Sequence, residues 1–146
     1  MKKFLMLHGI NLNMFGKRDP AQYGTITLDE IDGKLQSLAK ELGVEVVCFQ
    51  TNNEGAMCER IHQAFVDKVN GVLINAGAWT HYSYAIRDAL EIAKVPVVEV
   101  HLSDIKSRED WRSHSVFDGL VLGVVSGKGA EGYREALEML KKELDE

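Results

Sequence analysis

The chain has 146 residues and a formal net charge of -5, from 17 basic and 22 acidic side chains. Hydrophobic residues make up 45% and charged residues 27%, which is typical of a globular protein and predicts a single domain over residues 1–146. No basic block or stripe is present, so nucleic-acid and membrane-surface binding are disfavoured, and the apolar run Phe4 to Leu7 is too short for a signal peptide or a membrane span.

Apolar runs of strand length alternate with segments of helical period. Thr27 and Glu30 form a capping box at the start of the first long helix, and Gly43 ends that helix. The predicted order is strand 3–7, loop 8–24, helix 28–42, strand 44–49, helix 57–69, strand 71–75, helix 81–93, strand 95–100, a helical turn near 108–114, strand 120–125 and helix 131–144. The strands are almost continuously apolar, which indicates a parallel sheet covered on both faces.

Five β/α units predict a three-layer α/β/α sandwich with a flavodoxin-like five-stranded parallel sheet in the order 2-1-3-4-5. In such folds ligands bind beyond the carboxyl ends of the strands, at the point where the strand order reverses. Strand one leads to Asn11, strand three ends at Asn75, and strand four ends at Glu99 and His101. We therefore expect two amides and a Glu/His pair to meet at one edge of the sheet.

The loop 8–24 is far longer than a usual connection and contains Arg18 and Tyr23, which suggests an active-site lid. A close guanidinium stabilises a phenolate, which can then act as a base. Glu99 and His101 are two residues apart on a strand and share one face. A carboxylate fixes the tautomer of an imidazole and stabilises its protonated form, which makes it a usable acid. Taken alone, Arg18 and Tyr23 could be a purely structural pair. Glu99 and His101 could be a solvated strand end.

Other residues are candidates for ligand binding and could also have an ordinary structural role. Asn75 lies beside Gly77, where backbone amides can face an anion. His81 is predicted at the start of a helix, with Asp88 on nearly the same face, and could also be a capping or surface residue. Arg108 and Arg112 are four apart on the predicted helical turn, where they could bind a carboxylate or form a solvated face; these two are candidates for ligand contact.

Two patterns do not predict a cofactor or a metal. Residues 127–132 fit the dinucleotide motif G-x-G-x-x-G, but no later strand can supply the acidic ribose contact. The five histidines show no metal-ligand spacing with each other or with the cysteines. Cys48 and Cys58 lack C-x-x-C spacing and are predicted to be two reduced thiols of a cytosolic protein, with a redox pair or a metal site as the alternative.

The motifs together resemble type II 3-dehydroquinate dehydratase, from Leu5 to about Leu140. The similarity is carried by residues 9–13, 16–24, 75–81, 87–89, 98–103, 108–109 and 112–115. One departure lies at the start of the lid, where the family usually has Asn-Gly-Pro-Asn and this chain has His8-Gly9-Ile10-Asn11.

The resemblance implies a role for each catalytic candidate. Tyr23 would be the base that removes the proton α to the ketone, held as phenolate by Arg18. Asn11 would position a water that stabilises the enolate oxygen. His101, oriented by Glu99, would protonate the departing hydroxyl. The implied reaction is an anti elimination of water from 3-dehydroquinate to 3-dehydroshikimate, without metal or cofactor.

The resemblance also implies how the substrate is bound. Asn75 and the Leu102–Ser103 segment would bind the substrate carboxylate. His81, Arg112 and Asp88, the last from an adjacent subunit, would bind the ring hydroxyls.

The remaining implications concern assembly and cellular role. Arg108 would act in lid closure or subunit contacts, and the chain would form a homododecamer, a tetramer of trimers, in the cytoplasm. Either the shikimate pathway of aromatic amino acid biosynthesis or quinate catabolism could use the reaction. The alternatives are a paralogue that dehydrates a related hydroxy acid and a non-catalytic flavodoxin-like binding protein.

Overall fold

The computed structural model describes residues 1–145 and has one five-stranded parallel sheet in the order β2-β1-β3-β4-β5. This confirms the predicted α/β class and strand order. The strands are β1 Lys3–His8, β2 Glu45–Gln50, β3 Gly71–Asn75, β4 Val97–His101 and β5 Gly123–Ser126.

The helices form a layer on each face of the sheet. They are α1 Pro20–Tyr23, α2 Leu28–Leu42, α3 Glu54–Asp67, α4 Tyr84–Ala93 and α5 Glu131–Asp145. Helices α2 and α5 pack on one face, over a core that includes Phe4 and Leu73, and α3 and α4 pack on the other, over a core that includes Leu5 and Ile74. Successive residues of β1 and β3 therefore alternate between two buried layers, which explains their unbroken apolar sequence. None of the helices within residues 1–145 has the length and apolarity needed to span a bilayer.

Side-chain caps decide where the helices begin. The predicted capping box is present, because the Thr27 hydroxyl accepts from the Glu30 amide and the Glu30 carboxylate accepts from the Thr27 amide. Helix α3 begins three residues before the predicted Met57, because the Asn53 side chain caps it through the Ala56 amide at 2.8 Å.

Two other predicted bounds were wrong. Helix α4 begins at Tyr84, capped by the Ser83 hydroxyl, so His81 is not at the start of this helix but ends a 3-10 helix over Gly77–His81. Strand β5 begins at Gly123 rather than at residue 120, because Leu120 is the end of a turn in which its amide donates to the Phe117 carbonyl.

The ends of β1 and β3 approach each other closely. The Gly9 amide donates to the Asn75 carbonyl at 2.7 Å, and a Cβ at Gly9 would lie 2.2 Å from the Ala76 carbonyl oxygen. Gly77 has a φ of 63°, and a Cβ there would lie 2.5 Å from the Ile10 carbonyl oxygen. Only glycine fits at both positions, and this contact sets the two strand ends side by side.

Candidate active site

A small polar cavity of about 100 Å³ lies at the carboxyl ends of β1, β3 and β4. This is the edge at which the sequence predicted the candidate residues to meet. Ten of the predicted site residues line the cavity: Asn11, Arg18, Tyr23, Asn75, His81, His101, Leu102, Ser103, Arg108 and Arg112.

A larger groove of about 660 Å³ lies between α2 and α5. It is lined by side chains such as Leu35, Lys34 and Arg134 and contains none of the predicted site residues. A site for chemistry is marked by converging polar groups rather than by volume, so the smaller cavity is the candidate active site.

Tyr23 lies between two guanidinium groups. Arg18 Nη2 donates to the Tyr23 hydroxyl oxygen at 2.8 Å, and Arg108 Nη1 donates to the same oxygen at 2.6 Å. Both guanidinium carbons also lie over the ring, 3.9 and 5.1 Å from its centroid. Two charged donors therefore point at one phenol oxygen, and such hydrogen bonds are stronger than those between neutral groups.

The position of Tyr23 follows from the local sequence of the lid. Asp19 caps α1 through the Ala21 amide at 3.0 Å, and Pro20 occupies the first helical position, where its missing N–H costs nothing. The end of the predicted loop 8–24 thus contains a one-turn helix whose last residue is Tyr23. The Tyr23 ring packs on the buried Phe15, with centroids 5.9 Å apart.

We expect Arg108→Ala to lower kcat by about 10²- to 10³-fold, with a smaller change in KM, because it removes one of the two charged donors to the oxygen of the candidate base. Steady-state rates with the family's substrate would measure this. Arg134→Ala is the matched control, since Arg134 pairs with Glu138 on the exposed side of α5. Unchanged turnover in Arg108→Ala would remove this role.

Glu99 and His101 form a buried pair. The His101 Nε2–H donates to Glu99 Oε2 at 2.6 Å, and the Ser115 hydroxyl donates to Glu99 Oε1 at 3.0 Å. Glu99 is fully buried, so its charge is compensated by these two donors. The carboxylate engages Nε2, which leaves Nδ1 of His101 as the ring nitrogen for a ligand. Glu99 itself does not line the cavity and acts through His101.

Asn75 is held by a residue that the sequence analysis missed. Its side-chain amide donates to the Tyr133 hydroxyl at 2.9 Å, while its Oδ1 accepts from the Gly77 amide at 3.1 Å. Tyr133 lies on α5, is buried, and is 58 residues away in sequence. Burial raises the pKa of Tyr133, so it stays a neutral phenol and orients the amide without adding charge.

We expect Tyr133→Phe to raise KM about 5- to 30-fold with a smaller effect on kcat, because the loss of one buried hydrogen bond leaves the Asn75 amide unsatisfied at about 1–2 kcal/mol. Arg134→Ala is again the control, since it alters the next residue of α5 on the exposed side of the helix. A kcat that falls while KM stays constant would argue against a positioning role.

His81 and Arg112 meet at a third wall of the cavity. His81 Nδ1 donates to the His114 carbonyl at 2.6 Å, and its ring stands edge-on to Trp111 at 5.2 Å. Burial lowers the pKa of His81, so the ring is neutral near pH 7 and Nε2 is an acceptor. Arg112 donates from Nε to the exposed Glu109 at 2.7 Å. This wall of the cavity therefore offers a ligand one hydrogen-bond acceptor, His81 Nε2, and one positive charge, the Arg112 guanidinium.

Asp88, like Glu99, is a predicted site residue that does not line this cavity, and among residues 1–145 its side chain has no hydrogen bond or ion pair with a residue that does. It is exposed on α4 and is absent from the cavity lining of the described residues. The 127–132 glycine loop forms a turn that supports the site, since the Gly127 amide donates to the Ser103 carbonyl and the Gly129 amide donates to the Leu102 carbonyl, each at 3.1 Å.

Comparisons with known proteins agree with the geometry. A 3-dehydroquinate dehydratase of Syntrophotalea carbinolica is 61% identical over 137 residues, covering 94% of this chain and 93% of the relative. The type II dehydroquinase of Butyrivibrio crossotus superposes with a TM-score of 0.93 at 38% identity, covering 96% of this chain and 97% of that one. The enzyme of Propionibacterium acnes gives 0.92 at 43% identity, covering 97% of each chain.

The family model gives the same result as the individual relatives. The model described as dehydroquinase class II matches residues 2–141, which include every residue of the cavity. This chain belongs to the dehydroquinase class II family.

Proposed function

We propose that this chain is a hydro-lyase, a 3-dehydroquinate dehydratase that forms 3-dehydroshikimate and water, with residues 1–146 as a single catalytic domain. The family membership supports the reaction. The observation that carries the chemistry is Tyr23, whose hydroxyl oxygen receives hydrogen bonds from Arg18 at 2.8 Å and Arg108 at 2.6 Å in a cavity shared with His101. One cavity thus contains a base and an acid.

In the first step the Tyr23 phenolate oxygen takes the proton α to the ketone. The electrons of the broken C–H bond form an enolate, whose oxygen receives a hydrogen bond from a water held by Asn11. Asn11 is suited to this place because it lies in the cavity with a φ of 70°, while its backbone amide is fixed by the Asn52 side chain at 2.8 Å. Because Arg108 donates a hydrogen bond to the Tyr23 oxygen, its proposed role extends beyond lid closure or subunit contact.

In the second step the enolate re-forms the ketone and expels the β-hydroxyl. His101 gives its proton to that hydroxyl, so water leaves, and the pair of electrons becomes the new C=C bond. The buried Glu99 stabilises the imidazolium before the transfer and orients the ring during it. Proton transfer from Tyr23 back to His101 resets the site. No electrons are gained or lost overall, so the steps require no redox cofactor.

Substrate binding uses the rest of the cavity. Asn75 and the backbone of Leu102–Ser103 bind the carboxylate, with the segment held by the glycine loop described above. His81 accepts from a ring hydroxyl through Nε2, and Arg112 donates to another. This division is supported by the positions of all these residues in one cavity.

The test is to mix purified protein with 3-dehydroquinate and follow the ultraviolet absorbance of the conjugated enone product. We expect a rise that survives a chelator and borohydride, which would trap a lysine imine. Comparing turnover across related ring acids separates this function from a paralogue that prefers another hydroxy acid. A folded protein without activity on any of these acids would support the non-catalytic binding protein.

We further propose that the chain assembles as a homododecamer, a tetramer of trimers, and works in the cytoplasm. Assembly is supported by a group of exposed apolar side chains at α4, namely Tyr82, Tyr84 and Ile92, which are 58%, 63% and 52% exposed. Asp88 lies on the same helix, so a subunit packed on this face could receive it at its own cavity. Native mass spectrometry should detect twelve chains, and a stable monomer with full activity would contradict the proposal. A reducing compartment fits the two free cysteines.

A further inference from the structure

Outside the active site, three side chains with metal-binding chemistry meet between the sheet and α2. They are His8 at the end of β1, Cys48 on β2 and Asp32 on α2. Their ligand atoms all lie within 4.8 Å of one another. None of the three lines the candidate active site.

The fold explains why sequence spacing gave no sign of this cluster. In the parallel pair β1/β2, Met6 lies opposite Cys48 and His8 lies opposite Gln50. Met6 and His8 are two residues apart and share a face, so Cys48 is the diagonal neighbour of His8. Asp32 reaches the same face from α2, where its Oδ1 accepts from His8 Nε2 at 2.6 Å. The expectation of no metal rested on sequence spacing alone, and spacing does not include contacts between a strand and a distant helix.

The three donors suit a particular class of ion. An imidazole nitrogen, a carboxylate oxygen and a thiolate sulfur are all ligands of Zn²⁺, at about 2.0–2.3 Å, which puts ligand atoms of a tetrahedral site roughly 3.3–3.8 Å apart. The His8–Asp32 contact at 2.6 Å is shorter than that range and the cluster extends to at most 4.8 Å, so side-chain rotations must accompany ion binding. Three protein ligands leave the fourth position to water, as in zinc sites with an exchangeable ligand.

The second ring nitrogen of His8 has a different environment. His8 is fully buried, and its Nδ1 has no hydrogen-bond partner among residues 1–145. Because Nε2 is the nitrogen that faces Asp32, Nδ1 is available to carry the ring proton while Nε2 binds an ion. Asp32 and Cys48 are both partly exposed, which gives an ion a path to the cluster.

We propose that His8, Asp32 and Cys48 form a binding site for a divalent transition-metal ion of the Zn²⁺ class, separate from the catalytic cavity. In the absence of a cation, burial and the nearby Asp32 raise the pKa of Cys48 and keep it a thiol. Binding releases the thiol proton, moves the ring proton of His8 from Nε2 to Nδ1, and replaces the His8–Asp32 hydrogen bond with one bond from each residue to the ion. Neither step needs an oxidant or reductant.

The test uses the full-length protein and Co²⁺, whose bond to a thiolate gives a charge-transfer band in the near ultraviolet. We expect a saturable band in the wild-type protein that Zn²⁺ abolishes by displacing Co²⁺. The band should be lost in Cys48→Ser and retained in Cys58→Ser, the matched control with the chain's other half-buried thiol. Asp32→Asn should weaken Co²⁺ binding by about tenfold or more.

Far-ultraviolet circular dichroism and turnover of 3-dehydroquinate would establish that Cys48→Ser is folded, since Cys48 is outside the catalytic machinery. No band in the wild-type protein would overturn the proposal. A band that survives Cys48→Ser, or that disappears in Cys58→Ser, would overturn it as well.

Discussion

Tyr23→Phe is expected to lower kcat by about 10²- to 10⁴-fold, the usual contribution of a general base, and to leave KM close to the wild-type value. The substitution removes one oxygen atom and keeps the ring that packs on Phe15. The lid and the cavity shape are therefore retained while the proton acceptor is lost. Steady-state kinetics of enone formation measure both constants.

The control for this prediction is Phe65→Leu, because Phe65 is 52% exposed on α3 and outside the cavity. It should behave as the wild-type enzyme. Full activity in Tyr23→Phe would show that a different group removes the proton, even if the overall reaction is the one proposed. A rise in KM of the same size as the fall in kcat would assign Tyr23 to binding instead.

His101→Asn is the second substitution with a large expected effect, a fall in kcat of about 10²- to 10⁴-fold. Asparagine can still donate a hydrogen bond to Glu99, so the buried carboxylate keeps a partner and the fold is retained. What the variant lacks is a transferable proton near neutral pH. The leaving hydroxyl must then depart as hydroxide or take its proton from a solvent water.

Two further variants sharpen this prediction. His62→Asn alters an exposed histidine on α3 and should leave kcat unchanged. Glu99→Gln keeps His101 and the volume of its partner but removes the negative charge, so a smaller loss of kcat is expected than for His101→Asn. If His101→Asn retains most activity, another group protonates the hydroxyl.

The fold was accessible from sequence because its main signals are local. Unbroken apolar runs mark strands that are buried on both faces, and the Thr27–Glu30 capping box marks a helix start within four residues. The start of α4 was predicted wrongly because the same local signals were misleading there. Apolar periodicity continues through Gly77–His81, and only the hydroxyl cap at Ser83 separates the 3-10 helix from α4.

The residues that support the site could not be predicted from such local sequence signals. Asn75 and Tyr133 are 58 residues apart, and Glu99 and Ser115 are 16 apart, so no spacing rule connects them. Arg108 was identified as a candidate, but its contact with Tyr23 spans 85 residues. Such contacts are created by the order of strands in the sheet, which brings the ends of distant segments together.

The placement of Tyr23 on α1 has a consequence for the timing of the reaction. The same residue ends the segment that covers the cavity and carries the atom proposed to accept the proton, while Arg108 follows β4. A movement of α1 away from the cavity would separate the Tyr23 oxygen from Arg108. In the proposed mechanism the base would then be in place only while α1 covers the cavity, which would tie removal of the proton to the exclusion of bulk water.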